Sequence, residues 1–270
     1  MALPPPSDRS TAVVTGASSG IGEAIARELV RRGHGVTLVA RRADRLAQLA
    51  DELAAGGGTA HVEPVDLADR DARAALVARL EARGLDVDVL VNNAGVSTSG
   101  PVAGADPAAE LAMVEVDVLA VVDLCSRLVP AMVARGRGAV LNVASTGAFQ
   151  PLPGQAGYGA GKAFVLSYTQ GLGGELRGTG VTATTLCPGP VDTGFGERAG
   201  LSREDATAAL PAVLWETPEA VAAAGLDGLA AGRPVVIPGL ANRAATAVGR
   251  LVPNRALVPL LARSHPALRT

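Results

Sequence analysis

Short β-branched runs alternate with longer helical patterns from residue 11 onward, and this alternation restricts the possible folds more than any other feature of the chain. The expected strands are Thr11–Thr15, Gly35–Ala40, Thr59–Val62, Val87–Val91, Ala139–Val143, Val181–Leu186 and Pro234–Ile237. Helix-like stretches lie between them, among them Gly22–Arg32, Arg42–Ala54, Arg70–Arg83, Ala108–Arg135 and Tyr158–Gly178. The alternation predicts an α/β fold, a doubly wound parallel sheet of about seven strands with helices on both faces. Near-continuous apolar strands such as Asp88-Val-Leu-Val91 fit strands buried on both sides. Residues 1–10 read as a loose tail and 11–240 as a single domain, with 241–270 as its helical C-terminal extension. The segment Thr193–Glu216 breaks the alternation and is the candidate lid.

Composition narrows the function classes. A net charge of −2 gives no reason to expect a nucleic acid or an anionic membrane as partner. Aromatic residues are 2% of the chain, too few for a base-stacking platform. Two cysteines, Cys125 and Cys187, are too few for a disulfide framework and suit a reducing, cytoplasmic setting. The N-terminal residues carry no apolar secretory core, and no apolar run is long enough for a membrane span. His34, His61 and His265 form no metal-ligand pattern, so no metal is expected.

Two local patterns carry chemistry. After the first strand comes Thr15-Gly-Ala-Ser-Ser-Gly-Ile-Gly22, in which Gly16, Gly20 and Gly22 permit a tight strand-to-helix turn and close approach of a phosphate. The helix that follows aims free N–H groups at such an anion. Separately, Lys162 is the only lysine, and it follows Tyr158 by four residues. On a helix the two share one face, which makes them a candidate acid–base pair. A compact ammonium with rotatable donors serves that purpose where a guanidinium fork does not.

TGxxxGIG, then Asn92-Asn-Ala-Gly95 after the fourth strand, then Ser145, Tyr158-x-x-x-Lys162, Pro188-Gly189 and Thr193 resemble the single-domain branch of the short-chain dehydrogenase/reductase family. The likeness covers roughly residues 11 to 240 and implies a Rossmann-type fold and hydride transfer between a nicotinamide and a carbonyl or secondary alcohol. It implies that Ser145 holds the substrate oxygen, that Tyr158 is the acid/base, and that Lys162 lowers the phenol's pKa and holds the ribose. For the cofactor it implies Gly16, Ser19, Gly20, Ile21 and Gly22 at the pyrophosphate, with Ser18 of the same turn as a further hydrogen-bond donor to a 2′-phosphate, and Asp66 and Leu67 beside the adenine. Asn93, Ala94 and Gly95 would lie beneath the nucleotide, with Pro188, Gly189, Val191 and Thr193 at the carboxamide. Asp66 equally suits a helix N-cap before Asp69–Arg83. Asp117 stands where many relatives have asparagine, and a carboxylate accepts but cannot donate as an amide does; it either attracts Lys162 or replaces asparagine with little effect.

The second strand ends Val39-Ala40 and is followed by Arg41-Arg42, with no carboxylate to repel a 2′-phosphate. NADP(H) is therefore expected over NAD(H), with Arg41 as phosphate partner; Arg42 serves that role or simply starts a solvated helix. Phe195, Leu201, Leu210, Leu214 and Trp215, with Phe149, Pro151 and Leu152, either line an apolar pocket or belong to the core. The arginine-rich segment Asn242–Thr270, with Val248, Leu251, Val252, Leu257, Leu260 and Leu261, has an amphipathic pattern suited to subunit packing or pocket covering. The resemblance implies a homodimer or homotetramer. An NAD-preferring alcohol dehydrogenase and a catalytically silent NADP sensor are the rival readings.

Overall fold

The computed structural model describes residues 3–200, 204 and 210–268. Its strands are β1 (Ser10–Thr15), β2 (Val36–Ala40), β3 (Ala60–Pro64), β4 (Asp86–Asn92), β5 (Gly138–Val143), β6 (Val181–Leu186) and β7 (Val235–Val236). They form one parallel sheet in the order β3-β2-β1-β4-β5-β6-β7, with Val14 paired to Leu38 on one side and to Val91 on the other. The order reverses between β1 and β4, so the crevice for ligands opens at the carboxyl ends of these two strands.

Helices cover both faces, as the apolar strands require. On one side α1 (Gly20–Arg31), α2 (Ala43–Ala55) and the Pro218–Ala230 helix bury Ile25, Leu29, Leu46, Leu49, Val221 and Leu226 against the sheet. On the other, α3 (Arg70–Ala82), α5 (Ala120–Arg135) and α6 (Ala156–Glu175) contribute Leu76, Leu80, Leu124, Met132 and Val165. The Pro218–Ala230 helix was not among those read from the alternation. Its start signal is nonetheless plain: Thr217 caps Ala220 N at 3.2 Å and proline follows as the first helical residue.

Two expectations change and a third gains detail. The stretch Ala108–Arg135 is not one uniform helix but α4 (Pro107–Val114), a π-turn at Glu115–Leu119 and then α5. Residues 3–10 do not hang loose: Leu3 packs on the core, Pro4 is buried, and Ser7 N donates to Ser10 Oγ at 2.8 Å. The C-terminal extension is two helices, Leu240–Leu251 and Asn254–Ser264, separated at Val252-Pro253, where proline's missing donor stops the first. Leu257 turns inward while Val248, Leu251 and Leu260 stay exposed. Leu201 of the candidate lid, with residues 202–203 and 205–209, and the terminal Met1, Ala2, Arg269 and Thr270, lie outside the described residues.

Arg73 is the largest fully buried side chain, 1% exposed, and it ties α3 to the π-turn and α5. Its guanidinium donates to Glu115 and to Asp123, each at 2.8 Å, and to the carbonyl of Leu67. A buried cation tolerates this position only because its fork is satisfied on all sides. Arg73→Met should leave Glu115 without its partner and Asp123 with Arg127 alone, and lower the unfolding free energy by about 3 kcal/mol. Urea denaturation followed by circular dichroism would measure it, and a loss below roughly 1 kcal/mol would mean the network is not structural.

Candidate active site

The glycine turn is fixed from below by one hydroxyl. Thr15 Oγ1, at the end of β1, accepts from Asn93 N at 2.9 Å and Ala94 N at 3.0 Å and donates to the Val91 carbonyl at 3.2 Å. Asn93 answers by donating its amide to Thr15 O at 2.9 Å. The turn has no room for side chains: Gly16 has φ +68°, and a Cβ at Gly22 would lie 2.4 Å from Asn93 Nδ2 and from Gly16 O. Ser19 caps α1 without a side-chain hydrogen bond, so the first N–H groups at Gly20, Ile21 and Gly22 face outward as anion donors.

Cationic donors crowd the same turn. Arg42, rather than Arg41, reaches over it, donating to Ser18 O at 3.1 Å, Ser18 Oγ at 2.9 Å and Ser19 Oγ at 2.9 Å. Arg41 projects from the end of β2 and is exposed. Arg198, not singled out in the sequence, approaches from the Phe195–Arg198 turn; burial and then the charge of Arg42 hold its pKa below the ordinary value. Arg42 over the Ser18 and Ser19 hydroxyls, the charge of Arg198 within its electrostatic reach and Ala40 in place of a carboxylate form a donor set that fits a phosphate dianion. Leu67 is buried beside β3's end, and Asp66 accepts from Ala68 N at 3.0 Å in a local turn. The α3 cap is Asp69, which accepts from Asp71 N and Ala72 N, so Asp66 is not that cap.

At the ends of β5 and α6 the structure brings Ser145, Tyr158, Lys162 and Asp117 together. Ser145 Oγ accepts from Gly147 N at 3.0 Å, which fixes its loop, and its hydroxyl faces the Tyr158 phenol. Lys162 is 4% exposed, with Nζ 5.6 Å from the Tyr158 ring centroid and 3.3 Å from the Val143 carbonyl. Burial raises the phenol's pKa above the usual tyrosine value against the lowering pull of Lys162. Burial disfavours the Lys162 charge, yet Asp117 and the phenol outweigh it and its pKa stands above that of free lysine. Asp117 belongs to the π-turn, and its Oδ2 is 2.9 Å from Nζ. Phe195 closes the other side of Tyr158, ring centroids 5.8 Å apart.

Beneath these groups runs a buried amide chain that motif reading did not assign. Asn92 donates to Asn142 at 2.9 Å, Asn142 donates to Thr169 at 2.9 Å, and Thr169 donates to Val165 O at 2.7 Å. On the far side, Pro188 O accepts from Thr146 N at 2.8 Å, and Val191 bridges to Glu216. Thr193 stands over the glycine turn, where a Cβ on Gly20 would meet it at 2.8 Å. Asn242 of the first C-terminal helix, also missed, is 3% exposed and donates to Leu214 O at 3.0 Å. It also presses on Gly189, where a Cβ would come within 2.2 Å of its amide.

Phe149, Pro151 and Leu152 line an open cavity of about 580 Å³ with Ala156, Gly159 and Ala163, the face of α6 next to the one bearing Tyr158. Leu214 and Trp215 are half-buried and Leu210 is exposed. Arg250 stacks on Phe149 at 5.5 Å, so the C-terminal extension covers this loop. Cys187 and Cys125 are buried thiols, pushed up to about 12 and about 11 by burial, which suits packing rather than nucleophilic attack.

Residues 10–203 match the short chain dehydrogenase family model, and the chain belongs to that family as an oxidoreductase acting on hydroxyl and carbonyl groups. It is 39% identical over 188 residues to a short chain dehydrogenase of Pseudocercospora fijiensis, a match spanning 69% of this chain and 61% of that protein. It is 36% identical over 214 residues to the NADP-dependent 3-hydroxy acid dehydrogenase YdfG of Salmonella typhi, covering 74% of this chain and 83% of the relative. Among solved structures, a short-chain dehydrogenase from Sphingobium yanoikuyae in complex with NADPH superimposes with a TM-score of 0.79 at 33% identity, over 93% of this chain and 95% of the other.

The Thr15 hydroxyl serves three partners at once, which valine cannot do. Thr15→Val should leave two buried N–H groups unpaired and cost about 2 kcal/mol. Thermal melting would read the loss, and amide exchange at Asn93 and Ala94 should rise with it; an unchanged exchange rate would show that the latch does not hold the loop.

Proposed function

We propose that this chain is an NADP(H)-dependent oxidoreductase that moves hydride between the nicotinamide and a carbonyl or secondary alcohol, with Tyr158 as general acid and base. The observation that carries this reading is the chain's single lysine, buried beside Tyr158 on one face of α6, with Ser145 across from the phenol. Bound NADP(H) supplies or accepts the hydride; the protein orients and polarises. Ser145 Oγ holds the substrate oxygen, and Tyr158 gives that oxygen its proton in reduction or removes it in oxidation. Lys162 stabilises the phenolate, offsetting the burial that raises the phenol's pKa. The free N–H groups of α1 and the turn residues Ser18 and Ser19 receive the pyrophosphate, while Asn93, Ala94 and Gly95 form the floor. Pro188, Gly189, Val191 and Thr193 position the carboxamide end.

Arg42 is the principal 2′-phosphate partner, assisted by Arg41 and Arg198. The NADP-dependent Salmonella relative and the NADPH-bound Sphingobium structure support NADP(H) as the cofactor. The aliphatic and aromatic lining near Phe149, Leu152 and Phe195 favours a carbonyl compound with an apolar body.

Tyr158→Phe should abolish turnover, more than a thousandfold, while NADPH affinity measured by fluorescence titration stays within a few-fold; an active variant would remove Tyr158 from the chemistry. Arg42→Ala should weaken NADPH about tenfold or more and leave NADH nearly unchanged, because only the former carries the extra phosphate. Equal loss for both cofactors would overturn the phosphate assignment. Since oxidation needs the phenolate and the phenol's pKa is raised, oxidation should speed up as pH climbs through the alkaline range. Reduction, which needs the phenol, should hold at neutral pH and fall in the alkaline range. Initial rates in both directions across pH test the sign.

A further inference from the structure

We propose that Asp117 is a positioning residue that holds Lys162 in a charge-neutral pair beneath Tyr158 and thereby sets the pH at which the phenol exchanges its proton. This rests on the reading of Tyr158 given above. The pair is built from three sides. The π-turn carries Asp117 inward to 2% exposure, where an ordinary helix would bring residue 117 to a different bearing. Val96 N donates to Oδ1 at 2.8 Å and so fixes the carboxylate plane. Oδ2 then lies 2.9 Å from Lys162 Nζ, and that ammonium is its one ion-pair partner among the described residues. Gly95 leaves the space: a Cβ there would stand 3.2 Å from Nζ and 3.3 Å from Oδ2, crowding both charges.

Few other ionisable groups reach this point. From α6 come Tyr158 and Lys162 themselves, and from the end of β6 the buried, protonated Cys187 thiol. Glu110 of α4 meets α6 one turn away, at Gly157, and Glu115 of the π-turn is committed to Arg73. A lone ammonium in this pocket would pull the phenol's pKa down strongly, because burial leaves little water to screen it. With Asp117 in contact, the phenol faces the weaker field of an ion pair. The carboxylate acts on the phenol in the direction opposite to Lys162. Asp117 thus trades proton-exchange efficiency near neutrality for a buried lysine that is not left as an isolated charge.

The chain's two tyrosines make the test direct. In a Tyr168→Phe background Tyr158 is the only phenol, and its ultraviolet phenolate absorbance can be titrated without cofactor or substrate. Asp117→Asn keeps an oxygen for Val96 N and removes only the charge. Added to that background, it should lower the Tyr158 midpoint by about one pH unit or more. The alkaline limb of kcat/KM for reduction should move to lower pH by a similar amount. An unchanged midpoint, even with lowered stability or activity, would overturn the proposal and leave Asp117 a structural residue. If the asparagine variant does not fold, Asp117→Ser is compared in the same way, with the same two outcomes. The absorbance titration does not depend on turnover, so an active Tyr158→Phe enzyme would remove the catalytic reading while leaving this electrostatic result to stand or fall by itself.

Discussion

The site depends on the place where the strand order turns back on itself. β1 and β4 are neighbours in the sheet, but their chains leave in different directions, β1 into the glycine turn and β4 into the Asn93–Gly95 loop. Parting strands leave backbone N–H groups without a ladder, and buried N–H groups must find another acceptor. Thr15 provides it for both Asn93 and Ala94. With that junction closed, the glycine turn has a rigid base, α1 points its free amides into the crevice, and the far ends of β5 and β6 deliver Ser145 and the Pro188–Val191 loop to the same edge.

The polar groups of the interior follow one rule with different margins. Arg73 is fully enclosed and has three acceptors. Asn92, Asn142 and Thr169 form a neutral chain with little left unpaired. Lys162 and Asp117 form a buried ion pair, with Oδ2 2.9 Å from Nζ, and the buried carboxylates of Glu63 and Asp88 likewise face arginines. Burying a charged pair is costly, and here it lies beside the group expected to move a proton. Both networks meet at the π-turn, which gives Glu115 to Arg73 and Asp117 to Lys162.

The seven strands, the parallel sheet and most helix positions were legible because hydrophobic alternation and glycine placement act over short stretches of sequence. The glycine turn, Asn93 and the Tyr158–Lys162 pair were legible for the same reason: each is a local spacing with a local geometric consequence. What was not legible depends on contacts far apart in the chain. Arg42 and Arg41 are adjacent, and only the twist at the end of β2 decides which reaches Ser18. Asn242 meets Leu214 and Gly189 through the docking of the C-terminal helix, which no nearby spacing encodes. The π-turn at Glu115–Leu119 keeps a helical composition, so its widened geometry leaves no mark in the pattern, although the polar Asp117 amid apolar neighbours was a visible irregularity.

The confinement of the only lysine to the interior leaves guanidinium as the side-chain cation of the surface. A guanidinium keeps its proton throughout the range in which proteins survive. The two cysteines are enclosed and both tyrosines have raised pKa values. Between the histidine range and about pH 12, therefore, almost nothing on the exterior titrates. The exterior of the molecule thus keeps a nearly constant set of charges across the alkaline interval in which the half-buried Tyr158 phenol changes charge.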